Sequence, residues 1–509
     1  MKLYKILVGA ALVGAMTSCS LDVEPQQHVD VDNIEAVSPQ DLIGGLFNRM
    51  QALGYYGRNF NLYGDIGTDL ISATPYDGGR FQDHYNLRKN FTTIGSDTGS
   101  ETNKNTFDAI YEVIYNANLI LQSTVLDKED PAVQNAMGQA YFVRAFAYVD
   151  LLKAYGNVPL ITVAPVTVEE AIALKPEKAE RAAIFTQVYA DIDEAINYIT
   201  NTSTKINASV DAAKALKVRA LLFEIESDES KREVNADMII SLADELGSTY
   251  ALTPIDKLFD YYQGEGGEET IFELKFASNQ GRGSNNYGNI YGHRNAGMYG
   301  SYQVSPKLFN LEHDSEVILG GVSADARFET SKEFGKSLIY QEDFDLRYDT
   351  ISTDPIVVDT VRSQHHYIMK YYSHDNTIGL HTPKLLRFAE VLLTKAEAYL
   401  IKNDPAKAAE AINMLRENRI VGYTDVATVT FQDVWDERAK EFAFEGQRMW
   451  DLRRTKQKVT VSNRLGQVIA TEDPTIIGGE KGIGQQTWFP IPEREMLANP
   501  NIGENNWGY

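Results

Sequence analysis

The chain has 509 residues, with 71 acidic against 48 basic side chains, a formal net charge of −23 and a single Cys. That length suits one very large or two to three ordinary domains, and one Cys excludes a disulfide scaffold. The 43% hydrophobic and 23% charged fractions are those of a chain that folds around a sizeable core, and the acidic balance argues against nucleic-acid partners and against electrostatic docking on anionic lipid.

Lys2 and Lys5 precede an apolar run over residues 6–16, which has the length of a signal-peptide core and is too short to span a bilayer. Cys19 follows Met16, Thr17 and Ser18, where a bacterial lipobox places its acylated residue, so the segment resembles a lipoprotein signal. An ordinary secreted chain with a chance Cys is the alternative, and an unpaired Cys in an exported protein argues against it. Cleavage of residues 1–18 removes Lys2 and Lys5, leaving 46 basic against 71 acidic residues, a net charge of −25. Acyl chains, worth about 0.8 kcal/mol per buried methylene, would hold Cys19 at the membrane. No later run of 18 or more apolar residues occurs, so the chain is expected to meet the membrane through its lipid anchor only.

Beyond the signal, helical periodicity dominates. It predicts helices over residues 104–123, 131–155, 181–199, 210–226, 236–246, 385–401, 405–417 and 434–453. In the second of these, Tyr141, Ala145, Tyr148, Leu152 and Tyr155 share one face and Phe142, Phe146 and Val149 another, so the helix should be buried nearly all round until Gly156, Asn157 and Pro159 stop it. The helices come in pairs. Residues 396–415, with small residues at contact positions around an Asp404-Pro405 turn, resemble a tetratricopeptide hairpin, which buries its faces only by stacking on neighbours.

Between the helical blocks lie residues 54–99, 278–305 and 340–381, rich in Gly, Asn, Asp and Tyr, with strand-like patterns at 270–276, 357–361 and 367–372. Long irregular tracts within a helical scaffold commonly carry function, and the Tyr-rich stretch 278–305 reads as an exposed, structured loop.

Four segments, in order, carry a family resemblance: 140–160 (AYFVRAFAYVDLLKAYGNVPL), 385–398 (LLRFAEVLLTKAEA), 437–454 (ERAKEFAFEGQRMWDLRR) and 488–500 (WFPIPEREMLANP). With the lipobox they make the chain similar to the SusD/RagB family of outer-membrane nutrient-binding lipoproteins. The resemblance implies a mostly α, SusD-like fold of tetratricopeptide-type hairpins, plus an irregular, loop-rich ligand-binding half with a few short strands. It divides the chain into the signal at 1–18, an N-terminal part at 19–269 with the first ligand loops, and a C-terminal part at 270–509 with a loop-rich insert at 278–382 and helices at 385–453. It implies a lipoprotein anchored at Cys19 on the exterior of the outer membrane, which captures oligo- or polysaccharide and delivers it to a SusC-like TonB-dependent transporter. Capture of peptide or glycopeptide for a RagA-like transporter is the alternative.

Sugars present flat CH faces and rings of hydroxyls, so their sites want exposed aromatic platforms beside amides, carboxylates and Arg. Two tracts supply that mixture. The ligand candidates are Tyr63, Asp65, Tyr76, Asp77, Arg80, Phe81 and Tyr85 in the first, and Asn286, Tyr287, Tyr291, Arg294 and Tyr299 in the second. All four Trp, at 435, 450, 488 and 507, fall in the C-terminal helix and tail, which leaves Tyr and Phe as the stacking groups. The alternative for each Tyr is a packing role with its hydroxyl satisfied.

Glu437, Glu441 and Glu445 recur every four residues and invite comparison with a glycosidase acid and nucleophile. With Arg438 and Arg448 close in sequence they are better expected as ionised members of ion-pair networks, so a surface glycoside hydrolase is the weaker reading and no catalytic residue is assigned. Arg144, in an apolar helix, is expected as a buried ion-pair partner. The His residues at 365, 366, 374 and 381 match no zinc pattern, no cofactor is called for, and a structural calcium ion in the acidic loops has no assignable ligands.

Overall fold

A computed structural model describes residues 34, 37–74, 78–87, 103–200, 204–276, 286–292, 298–308, 381–463, 466–472 and 488–506, with short pieces at 311, 318–319, 322–323, 325–327, 342–345, 363–366, 368 and 370–371. Cys19, expected as the lipidation residue, and the strand-like stretch 357–361 lie outside the described residues.

The principal helices are α1 (Pro39–Met50), α2 (Asn103–Gln122), α3 (Pro131–Ala154), α4 (Arg181–Tyr198), α5 (Val210–Ser227), α6 (Arg232–Gly247), α7 (Phe388–Ile401), α8 (Pro405–Glu417), α9 (Phe431–Glu441) and α10 (Arg448–Arg454). Each packs on its neighbour in a continuous array: α2 on α3, α3 on α4, α4 on α5, α5 on α6, α6 on α7, and α7 on both α8 and α9. Helix α3 is the axis of this stack. Asp130 caps its first turn by accepting from the Ala132 N–H at 2.8 Å, Pro131 occupies the first helical position, and every residue from Phe142 to Ala154 is buried. One of its apolar faces places Phe142 and Phe146 against Phe272 and Phe146 against Tyr56, while Tyr141 stacks on Tyr198 of α4 and Arg144 bonds to both Asn118 of α2 and Asp191 of α4.

Helix α1 lies outside the predicted helices, although Ser38 caps it and Leu42, Ile43, Leu46, Phe47 and Met50 form a buried stripe against α2 and α3. The helix expected over 434–453 is two, α9 and α10. The chain leaves helix at Glu441 and turns through Phe444 (φ 68°) and Gly446 (φ 72°) before α10 begins. Helix propensity yields there to buried polar partners. The turn frees the Glu441 and Ala443 carbonyls to accept from Lys370, and the Phe444 carbonyl to accept from the Tyr371 hydroxyl at 2.8 Å. Gly446 lies so close to Gly64 that a Cβ on Gly64 would meet the Gly446 carbonyl oxygen at 2.0 Å.

Strands are short and paired in twos among the described residues. Strand β1 (Ile71–Ala73) pairs with β3 (Tyr302–Val304), β2 (Thr270–Glu273) with β4 (Lys384–Arg387), and β5 (Val459–Ser462) with β6 (Val468–Glu472), all antiparallel. Because β2 and β4 flank the insert, the chain leaves the scaffold and returns to it across one ladder. Residues 385–387, expected as the first turn of a helix, belong to the strand Lys384–Arg387 for this reason.

At that ladder sits a buried ionic cluster. Arg387 donates to Glu269 at 2.7 Å and to Glu441 at 2.6 Å. Arg419 donates to both carboxylates at 3.0 Å, and Arg327 reaches Glu437 at 2.7 Å and Glu441 at 3.0 Å. Burial pushes the Glu441 carboxyl pKa up, but the guanidinium groups of Arg419, Arg387 and Arg327 outweigh it and hold the group well below the ordinary carboxylate range. Glu437 is held low in the same way by Lys440, Arg327 and Arg416 against its own burial. Neither is poised to donate a proton near neutral pH. Arg144 likewise makes a bidentate pair with Asp191, at 2.8 and 2.6 Å, inside the helix stack.

Removing one member of such a cluster strands charge in the interior. Arg419→Met is expected to lower the unfolding free energy by about 3–5 kcal/mol, read from urea denaturation, and an unchanged midpoint would show that the cluster contributes nothing net.

Candidate ligand-binding site

The two Tyr-rich tracts, more than two hundred residues apart in sequence, are joined by β1 and β3, with Ile71 opposite Val304, Ser72 opposite Gln303 and Ala73 opposite Tyr302. The ladder extends at both ends. Thr74 N–H donates to the Ser301 carbonyl at 3.0 Å and Ser305 N–H to that of Leu70 at 2.9 Å. The Ser462 carbonyl in β5 accepts from the Ser72 hydroxyl and from the Tyr85 hydroxyl, each at 2.9 Å, so β5 braces the pair from one side.

On this base the structure brings Arg80 and Tyr299 together. The Arg80 guanidinium lies 4.4 Å from the centre of the Tyr299 ring, which is 46% exposed. Arg80 is placed by its backbone: its carbonyl accepts from the buried Tyr302 hydroxyl at 2.5 Å, and Gly78 (φ 62°) and Gly79 (φ 76°) make the turn before it. The next residue, Phe81, adopts φ 52°, a left-handed conformation that is costly for a bulky side chain and is held here by its burial beside Tyr63 and beneath the Arg58 guanidinium.

Five other candidates face inward. Tyr63 is fully buried, with its ring stacked on His84 at 4.1 Å and 8° and edge-on to Phe489. Phe81 and Tyr85 are both 3% exposed, and Tyr291 is buried against Tyr371 and Phe444. Asp65, also buried, accepts from the Gly446 N–H at 2.7 Å. Its burial raises the carboxyl pKa to about 7 although the Gly446 and Arg448 amides oppose the shift. These side chains support the surface from beneath instead of presenting a face to it, because alternate residues of short, sharply turned segments point into the helical core. For the described residues of 278–305, Tyr299 apart, the expectation of an exposed loop is corrected on the same grounds. Residues Asn286–Tyr291 form a short helix in which a Cβ on Gly288 would meet His381 Nδ1 at 2.8 Å, and Ser301, Tyr302 and Ser305 are buried. Asn286 and Tyr287 open that helix, their side chains lying outside the described residues together with Tyr76, Asp77 and Arg294.

What the reading of the tracts overlooked is their anchor. Arg448, inside the 437–454 segment, makes a bidentate pair with buried Asp69, both contacts 2.8 Å, and Lys307 approaches the same carboxylate from the second tract. Burial alone would raise the Asp69 pKa, and the two cations hold it well below the usual range. An Asp among loop aromatics and an Arg in a scaffold motif were the available signal. Among the described residues no three His, Cys, Asp or Glu side chains gather as metal ligands, and no helix is long and apolar enough to cross a membrane.

A model of the SusD family matches residues 268–509, and one described as "Starch-binding associating with outer membrane" matches residues 21–222. The chain belongs to the SusD/RagB family. The SusD-like protein P38 of Formosa agariphila is 25% identical over 97% of this chain and 96% of its own length, and the SusD-like protein P2 of that organism is 25% identical over the whole of both. Among solved structures, a SusD superfamily protein from Bacteroides thetaiotaomicron superposes with a TM-score of 0.73 at 19% identity, covering 94% of this chain and 100% of that one. A SusD-like carbohydrate binding protein from Bacteroides vulgatus gives 0.68 at 18%, covering 94% and 98%. The mostly α SusD fold is thus common to this chain and these solved structures.

The base of the surface carries its own pH dependence. Burial lowers the His84 pKa from 6.5 to about 3, so the folded chain binds fewer protons than the unfolded chain between those values. Stability is fully present above pH 6.5 and falls as the pH drops toward 3, by up to about 5 kcal/mol from this group. Thermal melts should show that slope in the parent and a flatter one in His84→Phe; parallel profiles would mean that His84 is protonated in the fold.

Proposed function

We propose that this chain is a cell-surface lipoprotein that captures oligo- or polysaccharide and delivers it to a SusC-like TonB-dependent transporter in the outer membrane. The observation that carries the reading is the Arg80–Tyr299 pair, an exposed ring with a guanidinium against it, held on a two-stranded base between the two tracts. A pyranose CH face stacks on such a ring while the guanidinium and neighbouring backbone meet its hydroxyls. Tyr76, Asp77, Asn286, Tyr287 and Arg294 belong to the same two tracts and are proposed as further contacts. The reading is supported by family membership, by the sugar-binding designation of a structural relative and by the outer-membrane description of the N-terminal family model. Acylation at Cys19 supplies the anchor.

One exposed ring adds about 0.5–1.5 kcal/mol beyond buried area, and a few hydrogen bonds contribute about 1 kcal/mol each, so affinity for a short glycan falls in the micromolar to millimolar range. Such weak capture suits a protein that must release its cargo.

The test is calorimetry of the Cys19→Ala chain against plant and host polysaccharides, mucin glycans and a peptide pool. Tyr299→Ala and Arg80→Ala should each weaken glycan binding about five- to thirtyfold with the thermal midpoint unchanged. Tyr291→Ala, cut from the core, should instead lower stability by about 3–5 kcal/mol. Glycan binding indifferent to both surface variants, or binding of peptides alone, would overturn the assignment. In cells, Cys19→Ala should move the protein out of the membrane fraction, and retention there would exclude the lipid tether.

A further inference from the structure

A pocket of about 380 Å³ opens on the helical half, between the α5–α6 hairpin, α7, α9 and α10. Its volume lies near the lower end of the range of small-molecule sites, roughly 300–1,000 Å³. One wall is aromatic: Phe431 and Trp435, one helical turn apart on α9, have ring centres 5.6 Å apart at 35°, and Leu222, Ile225 and Ile401 line the remainder.

The charges at its edge are almost all spoken for. Glu226 is held by Arg453 at 2.7 Å and Arg181 at 3.2 Å, Glu397 by Arg454 at 2.6 Å, and Glu229 by Arg232 at 3.0 Å. Among the described residues, Lys456 is the one lining charge without an ion-pair partner. Its backbone is unusual as well. Helix α10 ends with the Lys456 N–H donating to the Arg453 carbonyl at 2.9 Å and the Gln457 N–H to that of Leu452 at 2.8 Å. This closing motif places its turning residue in the left-handed region, where glycine is the usual choice, and Lys456 stands there at φ 57°. The chain accepts a strained backbone to keep an ammonium group, otherwise uncommitted, at the mouth of an aromatic pocket.

We infer that this pocket is a second ligand site, on different elements from the Arg80–Tyr299 surface, and that it takes a carboxylate-bearing sugar ring, a hexuronic acid free or at the end of a glycan. The ring's CH face lies on Trp435 and Phe431, its carboxylate meets the Lys456 ammonium, and Arg232 and Thr455 at the edge offer partners for hydroxyls. In a chain of net charge −23, an acidic ligand needs such a dedicated cation to be held at all.

The test is calorimetry of the full mature chain with D-galacturonate and di-galacturonate, with D-galactose and benzoate as controls. Saturable uronate binding is expected, at least tenfold tighter than galactose or benzoate and weakened by added salt. Lys456→Gly should reduce it at least tenfold while the thermal midpoint holds or rises, since glycine relieves the backbone; this separates lost binding from lost folding. Trp435→Phe should retain part of the affinity, and Tyr299→Ala all of it. Galactose or benzoate binding as tightly as uronate, full affinity in Lys456→Gly, or loss in Tyr299→Ala would each overturn the proposal, the last by placing uronate on the other surface.

Discussion

The fold depends on the charge cluster around Glu441. Its members come from five places in the chain: Glu269 beside β2, Asp325 and Arg327 from within the insert, Arg387 at the end of β4, Arg419 after α8, and Glu437 and Glu441 on α9. None of these charges is tolerable in the interior alone, so they specify one arrangement in which the insert, the ladder at its base and the last helices meet in a single register. The turn that breaks α9 from α10 belongs to the same constraint. It exists because Lys370, Tyr371 and Asp65 need carbonyl and amide groups that an unbroken helix would have kept for itself.

The helical half was legible because burial wrote itself into the periodicity. Helix α3 has two apolar faces and is buried among α1, α2 and α4, and the Asp404-Pro405 turn marks the α7–α8 hairpin. The misses share one physical origin. Residues 385–387 and 442–447 have helical composition, and the partners that pull them out of helix lie far away in sequence, at 270–273 in one case and at 370–371 and 65 in the other. At the candidate site, residue type predicted the neighbourhood well and the individual contacts poorly. A Tyr in a Gly-rich tract is equally suited to stack on sugar or to cap a core, and only the pairing of β1 with β3 separates Tyr299, at the surface, from Tyr291, beneath it.

That division gives the surface its character. The exposed pair rests on buried rings, on the Tyr302 and Tyr85 hydroxyls committed to backbone carbonyls, and on Asp69 clamped by Arg448. A ligand that met Arg80 and Tyr299 would therefore find groups already oriented, with little conformational entropy left to lose on binding. Two of the tryptophans, Trp450 and Trp488, serve the scaffold in the same sense. Trp450 is fully buried against Phe60, and Trp488 lies under the Arg453 guanidinium at 3.5 Å.

The ladder of β2 with β4 has a consequence for how such proteins diversify. Once the two ends of an excursion are pinned side by side, lengthening or shortening the chain between them changes the closure entropy only with the logarithm of its length. More than a hundred residues leave and re-enter the scaffold through that gate, and those described within it are tied back at a few places: the charge cluster, the pairing of β3 with β1, and the buried Tyr291 and Tyr371. The scaffold can therefore tolerate insertions or deletions between the strands at little cost in stability.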